Sequence, residues 1–218
     1  MDREIGEAVR GGRAVGGQGL YVQARLLATD GSGDAADFGL GGSTLLAVGN
    51  AEVDLEISVQ APLWAEYDTI EIYRNATTCV TGTNGGVPVF FTGVPTQTLQ
   101  AGPADAGSEF LVTELSDFRK IPGAGHRETA RTVRFPGLTE DSWFVVVVKG
   151  TPGVSAPMFP IFPRSLQASG NTSLEGLLDG NLGEGGVLAL GFTNALYADV
   201  DGGGFDAPGV PTPLGSCP

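Results

Sequence analysis

Histidine is nearly missing from this chain: one residue, His126, among 218. Hydrolysis by imidazole-rich metal sites needs several such ligands converging, so the chain cannot assemble a site of that kind from its own residues. Cysteine is almost as scarce. Cys79 and Cys217 make no framework and no C-x-x-C pair, which removes the simplest zinc and redox motifs. The two could pair with each other, closing a loop that the chain-entropy model credits with up to about 5 kcal/mol in an oxidising compartment, or they could remain two thiols with Cys79 buried. Basic residues number only 12 against 25 acidic ones, a net charge of −13. Phosphate binding draws its affinity from Lys and Arg displacing counterions, so a nucleic-acid partner is excluded, and an anionic membrane surface would repel the chain. No apolar run approaches the roughly 20 residues that span a bilayer. Met1 to Arg13 is charged and lacks the apolar stretch of a signal peptide, so Met1 is expected to mark a fragment boundary.

Nucleophile and nucleotide motifs are absent as well. There is no G-x-S-x-G elbow, no P-loop and no Cys with a histidine partner, and Gly17-Gln18-Gly19 leads into a strand, where a phosphate cradle would need a helix N-terminus. His126 sits in IPGAGHRET and is expected to be a solvated loop residue. No pair of carboxylates stands out for glycoside cleavage, and Asp105, Glu114, Asp117 and Glu128 are expected on solvated strands or loops.

What the chain does contain is glycine and proline, 35 and 14 residues, with 41% apolar residues and only 17% charged. That balance implies many short elements joined by turns around a real core. Strict alternation marks the strands. Val53 to Val59 places Val53, Leu55, Ile57 and Val59 on one face and Asp54, Glu56 and Ser58 on the other. Leu20 to Leu26 and Thr69 to Arg74 alternate in the same way. Further strands are expected at Val87–Thr92, Phe110–Leu115, Thr132–Phe135 and Val187–Phe192, separated by turns such as Asn84-Gly85-Gly86. Trp143 to Val148 is apolar throughout, which predicts a central strand covered on both sides. Asp2 to Gly11 has the spacing of a short amphipathic helix with Asp2 as N-cap. Met158 to Pro163 should run extended along an edge or between sheets, and Ser165 to Gly186 reads as a long loop with a helical turn at Ser173–Leu178. The fold class that follows is all-β: an immunoglobulin-like antiparallel β-sandwich of eight or nine strands, with a short helix in residues 1–13 and one domain over 14–218 ending in a Gly/Asp-rich extension.

That extension, Phe192 to Pro208, reads FTNALYADVDGGGFDAP. Carboxylates at alternate positions of a tight loop are how calcium loops begin, so Asp199, Asp201 and Asp206 are candidate calcium ligands; the competing expectation is that Asp199 and Asp201 accept backbone N–H bonds in Asx-type turns. Trp64, Tyr67, Tyr73 and Trp143 could form a carbohydrate-stacking platform, though core or interface packing is their commoner use.

The tail resembles the end of secreted metallohydrolases of the polymerase-and-histidinol-phosphatase (PHP) superfamily, carbaryl-hydrolase-like branch, where "A-x-T-N-P-x-x-x-D-x-D-G-D-G-x-F-x-P" follows a β-domain. Arg10, Gly12, Arg13 and Gly19 match that family's junction, with Gly17 and Leu20 replacing its usual Ser and Pro. VDLEISVQAPLWAEYDTIEIYRN is similar to its strand pair at Val59, Ala61, Pro62, Trp64, Asp68, Ile70, Glu71 and Asn75, and Asp141-Ser142-Trp143 with VVVVKG resembles its late strand. The family's "D-G-D-G" reads Asp201-Gly202-Gly203-Gly204 here, one carboxylate short. The resemblance implies a non-catalytic accessory β-sandwich whose parent carries the metal cluster in a separate catalytic PHP domain. It implies an exported address, secreted, periplasmic or at the cell surface, and as partners that catalytic domain or copies of the chain itself. Two other functions fit the composition: an extracellular protein that self-associates into a lattice or fibre, and a carbohydrate-binding module.

Overall fold

A computed structural model describes residues 16–30, 34–37, 45–47, 52–76, 79–84, 87–91, 95–102, 109–116, 125–156 and 188–206. Every regular element among them is a strand: β1 Gly16–Gln18, β2 Tyr21–Ala28, β3 Ala35–Asp37, β4 Leu45–Ala47, β5 Val53–Pro62, β6 Thr69–Arg74, β7 Cys79–Asn84, β8 Val87–Phe91, β9 Gln97–Gln100, β10 Thr113–Ser116, β11 Gly125–Phe135, β12 Ser142–Lys149, β13 Leu190–Phe192 and β14 Leu196–Asp199. No helix among the described residues is long and apolar enough to cross a membrane. The expected helix at residues 2–11, the 158–163 segment, the 173–178 turn and Cys217 lie outside the described residues.

The strands make two sheets and one hairpin. The back sheet runs β10-β11-β5-β2-β3. In the front sheet β12 is central: β6 and then β9 lie on one side, while β13 and β14 pair end to end along the other, β13 carrying β1 and β14 carrying β4. Pairing is antiparallel except at β14–β4. Lettered in the immunoglobulin manner, β2, β5, β11 and β10 are A, B, E and D, and β9, β6, β12 and β13/β14 are C′, C, F and G. The sandwich expectation holds. β7 and β8 pair with each other in a separate two-stranded ribbon.

Burial follows the alternation. In β5 every odd position from Val53 to Ala61 is buried, and β12 buries Ser142, Phe144, Val146 and Val148. Phe144, Leu26, Leu55, Ile57, Ile70, Ile72, Leu99 and Leu196 are fully enclosed between the sheets. Each such side chain contributes roughly 1.5–3 kcal/mol relative to an exposed one, before conformational entropy is set against it.

Three elements depart from expectation. β12 is central but not covered on both sides, because Trp143, Val145 and Val147 are only half-buried. β11 begins at Gly125, well before Thr132, so His126 lies on a strand opposite Pro62 and not in a loop. Its polar inner position Thr129 hid the alternation; the hydroxyl is buried, sharing a 3.0 Å hydrogen bond with Tyr67 Oη and donating to the Leu111 carbonyl at 2.8 Å. The Gly/Asp-rich tail is not a plain extension, since its start is β14, hydrogen-bonded to β12. Between β13 and β14 the ladder is bridged by a side chain: Thr193 N–H donates to the Val146 carbonyl at 3.0 Å, and Val146 N–H donates to Thr193 Oγ1 at 3.1 Å.

Candidate functional site

The pairing of Ser142 with Ala198 brings Asp141, just ahead of β12, beside the turn that follows β14. Asp141 holds both ends of that turn. Its Oδ1 accepts the Val200 N–H at 2.8 Å and its Oδ2 accepts the Asp206 N–H at 2.6 Å. Within the turn, Asp199 accepts the Gly202 and Gly204 N–H groups at 2.7 and 3.0 Å, and Asp201 accepts the Gly203 N–H at 2.7 Å. Gly202 and Gly204 have φ of +73° and +106°, a backbone region that disfavours any residue with a Cβ. Phe205 closes the turn edge-on against Tyr197, ring centroids 4.8 Å apart. Asn75 supports the arrangement from β6: with φ +49° it turns the chain so that its Oδ1 accepts Trp143 N–H at 2.9 Å and its Nδ2 donates to the Asp141 carbonyl at 3.2 Å.

One carboxylate oxygen each of Asp141, Asp199 and Asp201 lies within 4.8 Å of the other two. Asp199 is buried with Asp141 near it, and Asp201 is exposed. Of the three residues expected from sequence, Asp199 and Asp201 come together, whereas the exposed Asp206 is used through its backbone N–H. Asp141 was not expected. Its signal was the Asp141-Ser142-Trp143 string, but only strand pairing reveals that it faces the tail. A Cβ at Gly203 would stand 2.9 Å from Asp201 Oδ1, which accepts the Gly203 N–H.

The donor set suits a hard cation in kind, since Ca²⁺ takes roughly six to eight oxygens and three carboxylates offer six. Five of those six oxygens already accept a backbone N–H from the turn. The turn therefore closes on its own donors, as the Asx expectation holds.

A second polar centre lies at the opposite end of β12. Asp68 is buried and accepts four donors: Thr69 Oγ1 at 2.5 Å, Thr151 Oγ1 at 2.6 Å, Thr151 N–H at 2.7 Å and Ser155 Oγ. Burial alone would push its carboxyl up, but the hydrogen bonds from Ser155, Thr151 and Thr69 outweigh that and hold it below the usual carboxylate range. A cleft of about 490 Å³ beside it is lined by Glu66, Tyr67, Leu111, Glu114, Arg127 and Ser155 among others. Arg127 is spent within that cleft, donating to Glu114 at 2.8 Å, the Leu63 carbonyl at 2.5 Å and Glu66 at 3.2 Å. Burial raises the Tyr67 phenol, partly offset by its bond to Thr129.

The remaining expectations resolve individually. His126 lies 3.7 Å from Glu128 on the surface of β11. Trp64 is exposed on the turn after β5 and Tyr67 is buried, while Tyr73 and Trp143 are half-buried on the outer side of the front sheet, so the four aromatics form no single platform. The Tyr73 phenol is pushed up to about 12 by burial, by its hydrogen bond to Glu71 and by that carboxylate's charge. The side chains of a Cys79–Cys217 pair, like Asp105 and Asp117, lie outside the described residues. No family model, no curated protein and no solved structure matches this chain.

Proposed function

We propose that this chain is a non-catalytic β-sandwich module of an exported protein, whose work is packing: against a catalytic domain of the metallohydrolase kind its sequence resembles, or against copies of itself. The observation that supports it most is the state of its buried carboxylates. Asp68, Asp141 and Asp199, the buried acids among the described residues, are each engaged by donors of the same chain. A catalytic acid is set apart by burial that its surroundings do not match, whereas carboxylates satisfied by backbone and hydroxyl donors of their own chain act as clamps. They fix the two loops at either end of β12, which keeps the sandwich rigid enough to present a face. Incubating the purified chain with Mn²⁺, Zn²⁺ or Mg²⁺ and generic phosphoester and ester substrates is the test. Rates at the buffer background support the reading, and metal-dependent turnover that follows the chain through purification overturns it.

Calcium binding at the β14 turn is a subsidiary proposal, with Asp141 taking the place expected for Asp206. The three converging carboxylates support it. Millimolar CaCl₂ is expected to raise Tm, by the mass action of an ion that binds only the folded state, and Asp201→Asn is expected to remove the rise while leaving the calcium-free Tm little changed. An unmoved Tm in the wild type overturns it.

A further inference from the structure

The outer face of the back sheet changes character along its strands. At one end its charges pair across the register: Arg134 donates to the two Asp54 oxygens at 2.8 and 2.9 Å, and Arg25 lies 4.0 Å from Glu56. Towards the other end, the cross-strand rows Gln23–Ser58–Ala130 and Tyr21–Gln60–Glu128 carry a single charged side chain between them. Beyond these rows lies a hollow of about 540 Å³, with Gly19, Tyr21, Gln60, Pro62 and His126 on its lining. Its residues come from three neighbouring strands at roughly 4.8 Å spacing, so its walls on the β2 and β11 sides stand about 10 Å apart, the width of one six-membered sugar ring with its hydroxyls. Tyr21 is 45% exposed, and its hydroxyl accepts a 3.1 Å hydrogen bond from Gln23 Nε2, which holds the ring along β2 while leaving it open to solvent. The exposed Gln60 amide is bonded to no described residue. On the far wall His126 is 41% exposed, with Glu128 at 3.7 Å beside it.

We propose that this hollow binds a neutral glycan, one uncharged pyranose unit seated over Pro62 between Tyr21 and His126. A pyranose has an apolar face of C–H bonds and a rim of hydroxyls that each donate and accept. The Tyr21 ring supplies an open surface for the first, and amide and imidazole, which can both donate and accept, suit the second. A few polar groups converging beside an apolar surface in a concavity are the general form of a small-molecule site. Charge narrows the class. Glu128 at the rim and the net −13 of the chain repel uronic or sulfated sugars, and no cation lines the hollow to offset them. The cleft beside Asp68 lacks this capacity because its Arg127 is already spent on Glu114, Glu66 and the Leu63 carbonyl.

The test is saturation-transfer NMR and calorimetric titration of the full chain with cellotriose, maltotriose, xylotriose and chitotriose, and with trigalacturonate as the anionic counterpart. At least one neutral trisaccharide is expected to bind with a Kd on the order of 1 mM, as suits a shallow site contacting one sugar ring, and trigalacturonate is expected not to bind. Tyr21→Ala should weaken binding about tenfold or more, and Gln60→Ala about threefold to tenfold. Tyr21→Phe should stay within about twofold of wild type, because the hydroxyl it removes is already engaged by Gln23. Leu190→Ala, on the front sheet, should change nothing. Should Tyr21→Ala fold poorly by circular dichroism, Gln60→Ala carries the test, since that side chain is exposed and unbonded among the described residues. Silence of every neutral trisaccharide at ten times the expected Kd overturns the inference without touching the non-catalytic reading, which the turnover assay decides. Binding that both Tyr21→Ala and Gln60→Ala leave intact overturns the site assigned here, and trigalacturonate binding as tightly as the neutral sugars overturns the ligand class.

Discussion

Asp68→Ala is expected to cost about 3–4 kcal/mol and to lower Tm by about 6–16 °C, in thermal or urea unfolding. The carboxylate is the acceptor for four donors in a buried setting, and removing it strands the Thr151 N–H and the Ser155 hydroxyl, while the Thr69 and Thr151 hydroxyls keep each other at 3.0 Å and Thr69 also reaches Gln100 Oε1 at 3.3 Å. An unsatisfied buried group costs about 1–3 kcal/mol, and rotation of the hydroxyls together with water filling the gap recovers part of the total. Asp68→Asn keeps the shape and one acceptor oxygen but turns an amide NH₂ towards the donors, so about half the loss is expected. A Tm within about 2 °C of wild type for Asp68→Ala would show that the four short contacts hold nothing in place.

The pH dependence has a definite sign. The folded carboxyl titrates below its unfolded value near 3.9, so its contribution is fully present above about pH 4 and disappears as pH falls through the folded pKa. The stability gap between wild type and Asp68→Asn should therefore be flat at neutral pH and close in acid. A gap unchanged from neutral pH down to about pH 2 would contradict the ionised clamp.

Legibility in the sequence tracked how closely each segment kept to one period. The bounds of β6 match the TIEIYR alternation residue for residue, and β5 matches from Val53 because acidic and apolar residues alternate without a break. β11 was legible only at its end. Thr129 occupies an inner position that hydrophobicity does not mark, and its burial depends on Tyr67 and Leu111, residues contributed by other elements. β1, β3 and β4 are three residues long, too short for any period to show. In the tail, the Asx turns at Asp199 and Asp201 could be read locally, since donor and acceptor are two to five residues apart. The role of Asp141 could not, because it depends on β14 pairing beside β12 across a long separation in the chain.

Phe144→Ala tests how firmly the two sheets are held together. Phe144 is 1% exposed and leans on Phe135 of the back sheet, ring centroids 5.0 Å apart at 56°. Removing it deletes the aromatic contact between the sheets and leaves a cavity that β-sheet backbones cannot easily collapse, for an expected loss of about 3–5 kcal/mol. Urea unfolding should show the midpoint fall with little change in slope, because the surface exposed on unfolding stays much the same. A loss below about 1 kcal/mol would mean that the two sheets are not held together at this point.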